Sequence, residues 1–207
     1  MEYILIEEII KRSVAENWDT AKLEWTFEFA YKVKDPKRCL CNHFPIKNIC
    51  VIKNLKNNTS TEVGNCCVYK FMGIDIGNKI FSSINSLSKD LLKSLSSEVV
   101  EYLFEKKVIN DFEYNFYNDI SKKRILTPKQ QEIKLRINEK FINFTSFDTN
   151  SHFHKIAQVL NWAKEKEGFD LSFIESLETN CKKNGKLSDK QVQALENIIT
   201  RWNIAIQ

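Results

Sequence analysis

Five of the six cysteines lie between Cys39 and Cys67, in the stretches CLCNHFPIKNIC (39–50) and VGNCCVYKF (63–71). In a reducing compartment, thiols crowded in this way read as metal ligands before disulfides. Cys39 and Cys41 stand one residue apart in a tight turn, and Cys50 and Cys67 fall on segments that a β-hairpin would carry back beside it. Zinc takes four soft ligands in a tetrahedron, and structural sites are closed by protein groups. The preferred set is therefore Cys39, Cys41, Cys50 and Cys67. Cys50 shares a strand face with Ile52 and can point inward. His43, two residues past Cys41, and Cys66, the neighbour of Cys67, compete for a place in the shell. A helix N-terminus near Cys66 and Cys67 would favour a thiolate at either one. No glutamate is placed nearby as a general base, so the zinc is expected to be structural rather than catalytic. Buried free thiols and a redox or catalytic cysteine are the competing readings.

The elements that must hold these residues are partly visible. Leu5, Ile9, Ile10 and Val14 lie on one helical face. A second helix is expected after Asp19 or Thr20, with Leu23, Phe27, Ala30 and Tyr31 at helical spacing, so that residues 3–33 form two helices ended by Asp35-Pro36. Trp18 and Trp25 flank it as core aromatics. Ile49 to Lys53 reads as a strand, Lys56 to Thr59 as a turn and Ser60 to Val63 as the returning strand. Gly64-Asn65 leads into the first turn of a further element. Residues 78–92 are expected to be a loop followed by a helix, and the chain from Ser96 onward to be mostly helical.

The second half holds an internal repeat. A shift of 61 residues lays 109–141 over 168–202, pairing Phe112 with Phe173, Leu126 with Leu187, Thr127 with Ser188, Gln130 with Gln191 and Phe141 with Trp202. The shared Leu-[Ser/Thr]-x-Lys-Gln signature is a capping box, in which Thr127 or Ser188 is the N-cap and Gln130 or Gln191 sits at the third helical position. Pro128 falls at the first helical position, where its missing N–H costs nothing. Each unit is then a helix, a basic turn and a second helix. Cys181 is expected to be a buried helix residue.

The segments AKLEW (21–25), CLC (39–41), CVIKN (50–54) and VGNCCVYKF (63–71) together resemble a pattern in small uncharacterised proteins of bacteriophages and mobile elements. In that pattern Ala-x-x-Glu-Trp precedes Cys-x-Cys-Gly, an Ile-x-Asn strand and Val-Gly-Asn-x-Cys-Val-x-x-Phe. The match spans about residues 20–72 and departs from the pattern at Asn42, where the pattern has glycine. The resemblance implies a zinc-binding module in a phage or defence context, and no reaction. It implies Cys39, Cys41 and Cys67 as ligands, with Cys50 at a more variable position, and structural roles for Asn54, Gly64 and Asn65.

The net charge of +4 is mild, but it is unevenly placed. Residues 34–72 carry seven lysines and arginines against two acids, and residues 121–141 carry the same excess. Lys129, Arg136 and Lys140 share one helical face, opposite Ile133, Ile137 and Phe141. With Lys122, Lys123, Arg124, Lys47 and Lys53 they are the candidate phosphate contacts. Phe44, Tyr69 and Phe71 are candidate stacking surfaces or simply core. No Gly-rich phosphate loop, Gly-x-Ser-x-Gly or His-Glu-x-x-His occurs, which points to binding rather than catalysis. No run of 18 apolar residues and no signal-like start is present, so the cytoplasm is the expected location, that of the bacterial host if the chain is phage-encoded.

These features describe a mainly α protein, a helical bundle with a small zinc-stapled β-hairpin (a knuckle) near its N-terminal third. Residues 1–77 should hold the N-terminal helices and the knuckle, and residues 78–207 the two helical repeats. The expected function is that of a zinc-containing nucleic-acid-binding accessory protein of a phage or mobile element. The alternative is an inhibitor or adaptor that docks on a host protein complex. Neither a membrane nor a small-molecule substrate is implied.

Overall fold

The computed structural model describes residues 2–164, 166 and 168–206. The chain divides into two compact units, Met1–Asn85 and Ser86–Gln207. The division falls near the end of a helix, past the boundary after residue 77 read from the sequence. Among the described residues no helix is long and apolar enough to cross a membrane. Mainly α structure with one small antiparallel sheet is what the chain forms.

The first unit begins with helix α1 (Glu2–Lys11), which buries Leu5 and Ile9. A single turn, α2 (Trp18–Ala21), and a 3-10 turn (Lys22–Glu24) follow. Asn17, rather than Asp19 or Thr20, caps α2: its side-chain oxygen accepts the Thr20 amide at 3.1 Å. The expected second helix is not there. Residues Trp25–Lys37 form strand β1, paired antiparallel with β2 (Ile46–Asn54), which pairs in turn with β3 (Ser60–Gly64). The order is β1-β2-β3.

The correction has a physical cause. Phe27, Phe29 and Tyr31 recur at period two, and aromatic residues fit a pleated, half-buried surface. A register shift between Phe27 and Phe29 puts Phe27 and Ala30, three residues apart, opposite Ile52 and Cys50 on one face, and Tyr31 is buried on the other, which together imitate helical spacing in the sequence. Leu23, counted on the supposed helical stripe, is in fact 76% exposed. Pro36 does not end a helix; it lies in the last residues of an edge strand, where a missing N–H is tolerated.

One buried carboxylate ties the start of β1 to the end of β2. Glu24 accepts the amides of Val14 and Ala15 at 2.8 Å each and the side-chain amide of Asn54 at 2.7 Å. Asn54, fully buried, in turn accepts the amides of Lys56 and Asn57, which closes the β2–β3 turn. The Trp25 indole N–H donates to the Ser13 hydroxyl at 2.8 Å. Helix α3 (Asn65–Met72) follows β3 directly, and α4 (Ile76–Leu87) is helical where a loop was expected; the loop comes after it. The Phe71 ring of α3 packs against Trp18, with ring centroids 5.7 Å apart.

The second unit runs through α5 (Ser97–Glu105), α6 (Asp111–Ile120), α7 (Pro128–Phe144), α8 (Phe147–Ala163), α9 (Ser172–Asn184) and α10 (Asp189–Arg201). The two repeats are the pairs α6–α7 and α9–α10. Both capping boxes form as read: Thr127 with Gln130, and Ser188 with Gln191. A third, Asn110 with Glu113, starts α6. Inside α7, Asn138 bonds the Tyr117 hydroxyl at 2.6 Å and the carbonyls of Leu91 and Lys93, so a buried amide anchors the loop before α5. Ile156, Ile174, Leu177, Cys181, Leu187 and Leu195 form the core of the last three helices. Gly185, at φ +69°, ends α9 so close to α7 that a Cβ there would lie 2.5 Å from the Lys140 carbonyl oxygen.

The hydrogen bond from Asn54, with the Val14 and Ala15 amides, holds the Glu24 carboxyl below its usual range. A carboxyl whose folded pKa is lowered stabilises fully above its unfolded value of about 4.3, and that contribution is lost as pH falls through the folded value. Glu24→Gln is therefore expected to lower stability at neutral pH and to flatten the acid limb of the stability profile. Asn54→Ala should cost about 2 kcal/mol by stripping this cluster of donor and acceptor. Thermal melts followed by circular dichroism between about pH 7 and about pH 3 check both. Parallel pH profiles for wild type and Glu24→Gln would contradict the assignment.

Candidate metal centre

The site is built where two strand ends meet. β1 and β3 both run antiparallel to β2, so the residues after Lys37 and the residues after Gly64 leave the sheet at the same end. Cys39 and Cys41 sit in the turn after β1. The Cys39 amide donates to the His43 carbonyl at 2.9 Å and the Asn42 amide to the Cys39 carbonyl at 2.8 Å. Asn42 adopts φ +68°, at the position where the resembled pattern has glycine. Asparagine is one of the few residues that tolerate this left-handed region. The Arg38 guanidinium bonds the Asn42 carbonyl and side-chain oxygens at 3.2 and 3.1 Å, which holds the turn. Cys67 is the third residue of α3.

The sulfurs of Cys39, Cys41 and Cys67 lie within 4.8 Å of one another, and all three residues are buried. The Cys39 and Cys67 sulfurs are 3.5 Å apart. Tetrahedral zinc with bonds of about 2.3 Å separates its sulfurs by about 3.8 Å, so the trio could hold a metal ion with little movement. The Gly64 amide donates to the Cys39 sulfur at 3.2 Å. The Cys67 thiol, followed by the amides of Gly64 and Cys41, pulls the Cys39 thiol down to about 5. The same shared hydrogen bond, then burial, pushes Cys67 up. The arrangement thus favours the charged form at Cys39 and the neutral form at Cys67. A divalent cation supplies the charge that lets all three ionise together.

Beside the thiols lies a cavity of about 540 Å³. Leu5, Pro45 and Ile46 supply apolar wall, Lys47 and Lys70 supply cationic groups, and His43, Asn48, Asn65 and Cys66 complete much of the lining. No carboxylate lines it. A metal here would have no carboxylate beside it to act as a base, and the one imidazole in the lining is His43.

The other sequence candidates fall differently. Cys50 lies on β2 opposite Ala30 and Val63, fully buried, and is not one of the three grouped sulfurs. Burial, followed by the nearness of Cys39 and Cys66, pushes its thiol up to about 12. A Cβ on Gly77 of α4 would lie 3.0 Å from its sulfur, so Cys50 fills the space between the sheet and α4. The alternation with Ile52 was right about the inward direction, but the inside there is sheet core. Cys66 is exposed, since neighbours on a helix do not share a face. His43 is exposed and lines the cavity.

Of the basic candidates, Lys122, Lys123 and Arg124 are exposed in the α6–α7 turn, and Lys129 and Arg136 are exposed on α7. Lys140 differs: it is half-buried and paired with the Glu113 carboxylate at 2.7 Å, so its charge is already matched. Lys47 is exposed and Lys53 half-buried, both on β2. Phe44 and Tyr69 are exposed and Phe71 is buried. The sequence carried no sign that Glu24 and Asn54 organise the sheet beneath the site, beyond their presence in the resembled pattern. No known protein family, curated protein or solved structure matches this chain.

The contact between Cys50 and α4 is testable without the metal. Gly77→Ala should cost about 1 kcal/mol in the natural background, because overpacking outweighs the better helix propensity. In a Cys50→Ala background the same change should be neutral or stabilising, and Cys50→Ala alone should leave metal content unchanged. Denaturant melts of the four proteins with metal analysis decide this, and additive effects would refute the contact.

Proposed function

We propose that this chain is a zinc-ordered nucleic-acid-binding protein, in which His43 joins Cys39, Cys41 and Cys67 in the metal shell. The observation that carries the reading is the convergence of three buried thiols from two separate chain segments on one point. Soft thiolates at tetrahedral spacing favour zinc over hard cations. His43 and Cys66 are both exposed and both line the cavity beside the thiols. We favour His43 as the fourth ligand because it belongs to the same turn as Cys39 and Cys41 and its carbonyl already accepts the Cys39 amide. The resulting ion would be structural, clamping the knuckle to the start of α3.

A zinc-clamped module with no carboxylate base beside it suits binding better than catalysis, and the basic groups suggest the partner. Lys122, Lys123, Arg124, Lys129 and Arg136 are exposed on the second unit, and Lys47 and Lys70 stand at the cavity on the first. Such groups neutralise phosphates and release counterions. The resemblance in residues 20–72 supports a phage or mobile-element setting.

Purified protein is expected to carry about one zinc per chain. Cys39→Ser and Cys67→Ser should lose the ion and several kcal/mol of stability, and His43→Ala should weaken zinc retention against a chelator while Cys66→Ser does not. Metal analysis and melts with and without chelator check this; a zinc-free protein that melts like the wild type would end the metal reading. Binding to labelled oligonucleotides should fall log-linearly with salt, by about 0.7–0.9 per phosphate contacted. Absence of binding at low salt, with a stoichiometric protein partner recovered instead, would end the nucleic-acid reading.

A further inference from the structure

We infer that the cavity between the Cys39 knuckle and α3 is a seat for an unpaired nucleotide of a single strand. The inference rests on the nucleic-acid reading above and gives it a location. The cavity volume of about 540 Å³ is in the range of pockets that enclose small organic ligands. Its chemistry has the two halves that a nucleotide has. Leu5, Pro45 and Ile46 give an apolar surface for the face of a base. Lys47 and Lys70 give two cations, both exposed, and among the described residues neither is held in an ion pair or hydrogen bond. The lining contains no carboxylate, so nothing in it repels an anion or satisfies the lysines from within.

Asn48 lines the same cavity, half-buried, and a carboxamide offers both a donor and an acceptor to a base edge. A base inside a duplex cannot reach such a concave seat, because its faces are stacked and its edges paired. A strand with splayed bases can place one base inward and lay its flanking phosphates along the lysines. The three thiols lie in the wall of the same cavity, so a metal that orders the knuckle also fixes the positions of Pro45, Ile46 and Lys47.

The test uses the full-length, zinc-loaded protein and fluorescence anisotropy with a labelled twelve-nucleotide oligothymidylate and a labelled duplex of equal length. Three proteins are compared: wild type, Lys47→Ala/Lys70→Ala and Lys122→Ala/Lys123→Ala/Arg124→Ala. Zinc content and circular dichroism establish that each is folded. The single strand should bind more tightly than the duplex. Lys47→Ala/Lys70→Ala should weaken it about tenfold and make the salt slope shallower by about 1.4, the value for two phosphates on a single strand. An oligonucleotide carrying 5-iodouracil should photo-crosslink within residues 39–70. Undiminished single-strand binding by Lys47→Ala/Lys70→Ala, or crosslinks confined to the second unit, would overturn the seat while leaving the protein a nucleic-acid binder. Failure of wild type to bind either oligonucleotide at low salt would overturn the functional reading, and the seat with it.

Discussion

The Glu24 carboxylate is the constraint on which the first unit depends. It stands at the residue before β1 and receives two amides from the α1–α2 connection and one from Asn54, the last residue of β2. Because Asn54 lies opposite Trp25, this contact fixes one end of the β1–β2 pairing. A strand pair has a side-chain period of two, and a slip by one residue would turn every buried side chain outward. A buried carboxylate is costly unless its lone pairs are satisfied, and three N–H donors satisfy them here. The correct register is thus the one in which this charge is not left unpaired.

What happens at the far end of the sheet follows from that register. With Trp25 fixed against Asn54, and with the two register shifts at Phe27/Phe29 and Lys32/Lys37 taking up the extra residues of β1, Lys37 comes opposite Ile46; with Ser60 against Lys53, Gly64 comes opposite Ile49. The knuckle and the start of α3 then leave the sheet side by side, and the Gly64 amide meets the Cys39 sulfur. Three residues distant in sequence reach one point because two turns and two ladders set the distance. On the second edge, Tyr31 and Lys37 of β1 both bond the Glu62 carboxylate of β3, across β2, and draw the two outer strands to the same end.

Local signals were legible in the sequence, and long-range ones were legible only where they repeated a local one. The capping boxes at Thr127 and Ser188 need four consecutive residues, and both formed where the Leu-[Ser/Thr]-x-Lys-Gln repeat placed them. The β2–β3 hairpin was legible from β-branched residues around an Asn-Asn turn. β1 was not, because its bulge mixes periods of two and three to four, and because its partner strand lies beyond an eight-residue knuckle. The crowding of thiols pointed to the right segment but could not separate Cys50 from the cluster. Facing inward from β2 and facing the end of the sheet are the same statement in sequence, and only the register distinguishes them. Lys140 shared a face with Lys129 and Arg136 by spacing alone, yet Glu113, 27 residues earlier, claims its charge.

The three buried thiols could hold a cation, and their electrostatics say what it would add to the fold. The Cys67 thiol and the Gly64 amide favour the charged form at Cys39, while the same contact and burial push Cys67 toward its neutral form, so the pair alone opposes a second thiolate. Without a cation, adjacent buried thiolates repel, and the knuckle is held to α3 by the Cys39–Cys67 sulfur contact and to the end of β3 by the Gly64 amide on the Cys39 sulfur. With a cation, each proton lost becomes a bond between the two segments. Metal binding is then folding free energy delivered at one place, the junction of knuckle and helix. Linkage requires that whatever the ordered knuckle binds should in turn tighten the metal. A strand held by Lys47 and Lys70, one on β2 and the other on α3, would span the same junction that the metal closes. The metal and the strand would therefore stabilise each other through one geometry, the approach of α3 to the edge of the sheet, with no need for contact between them.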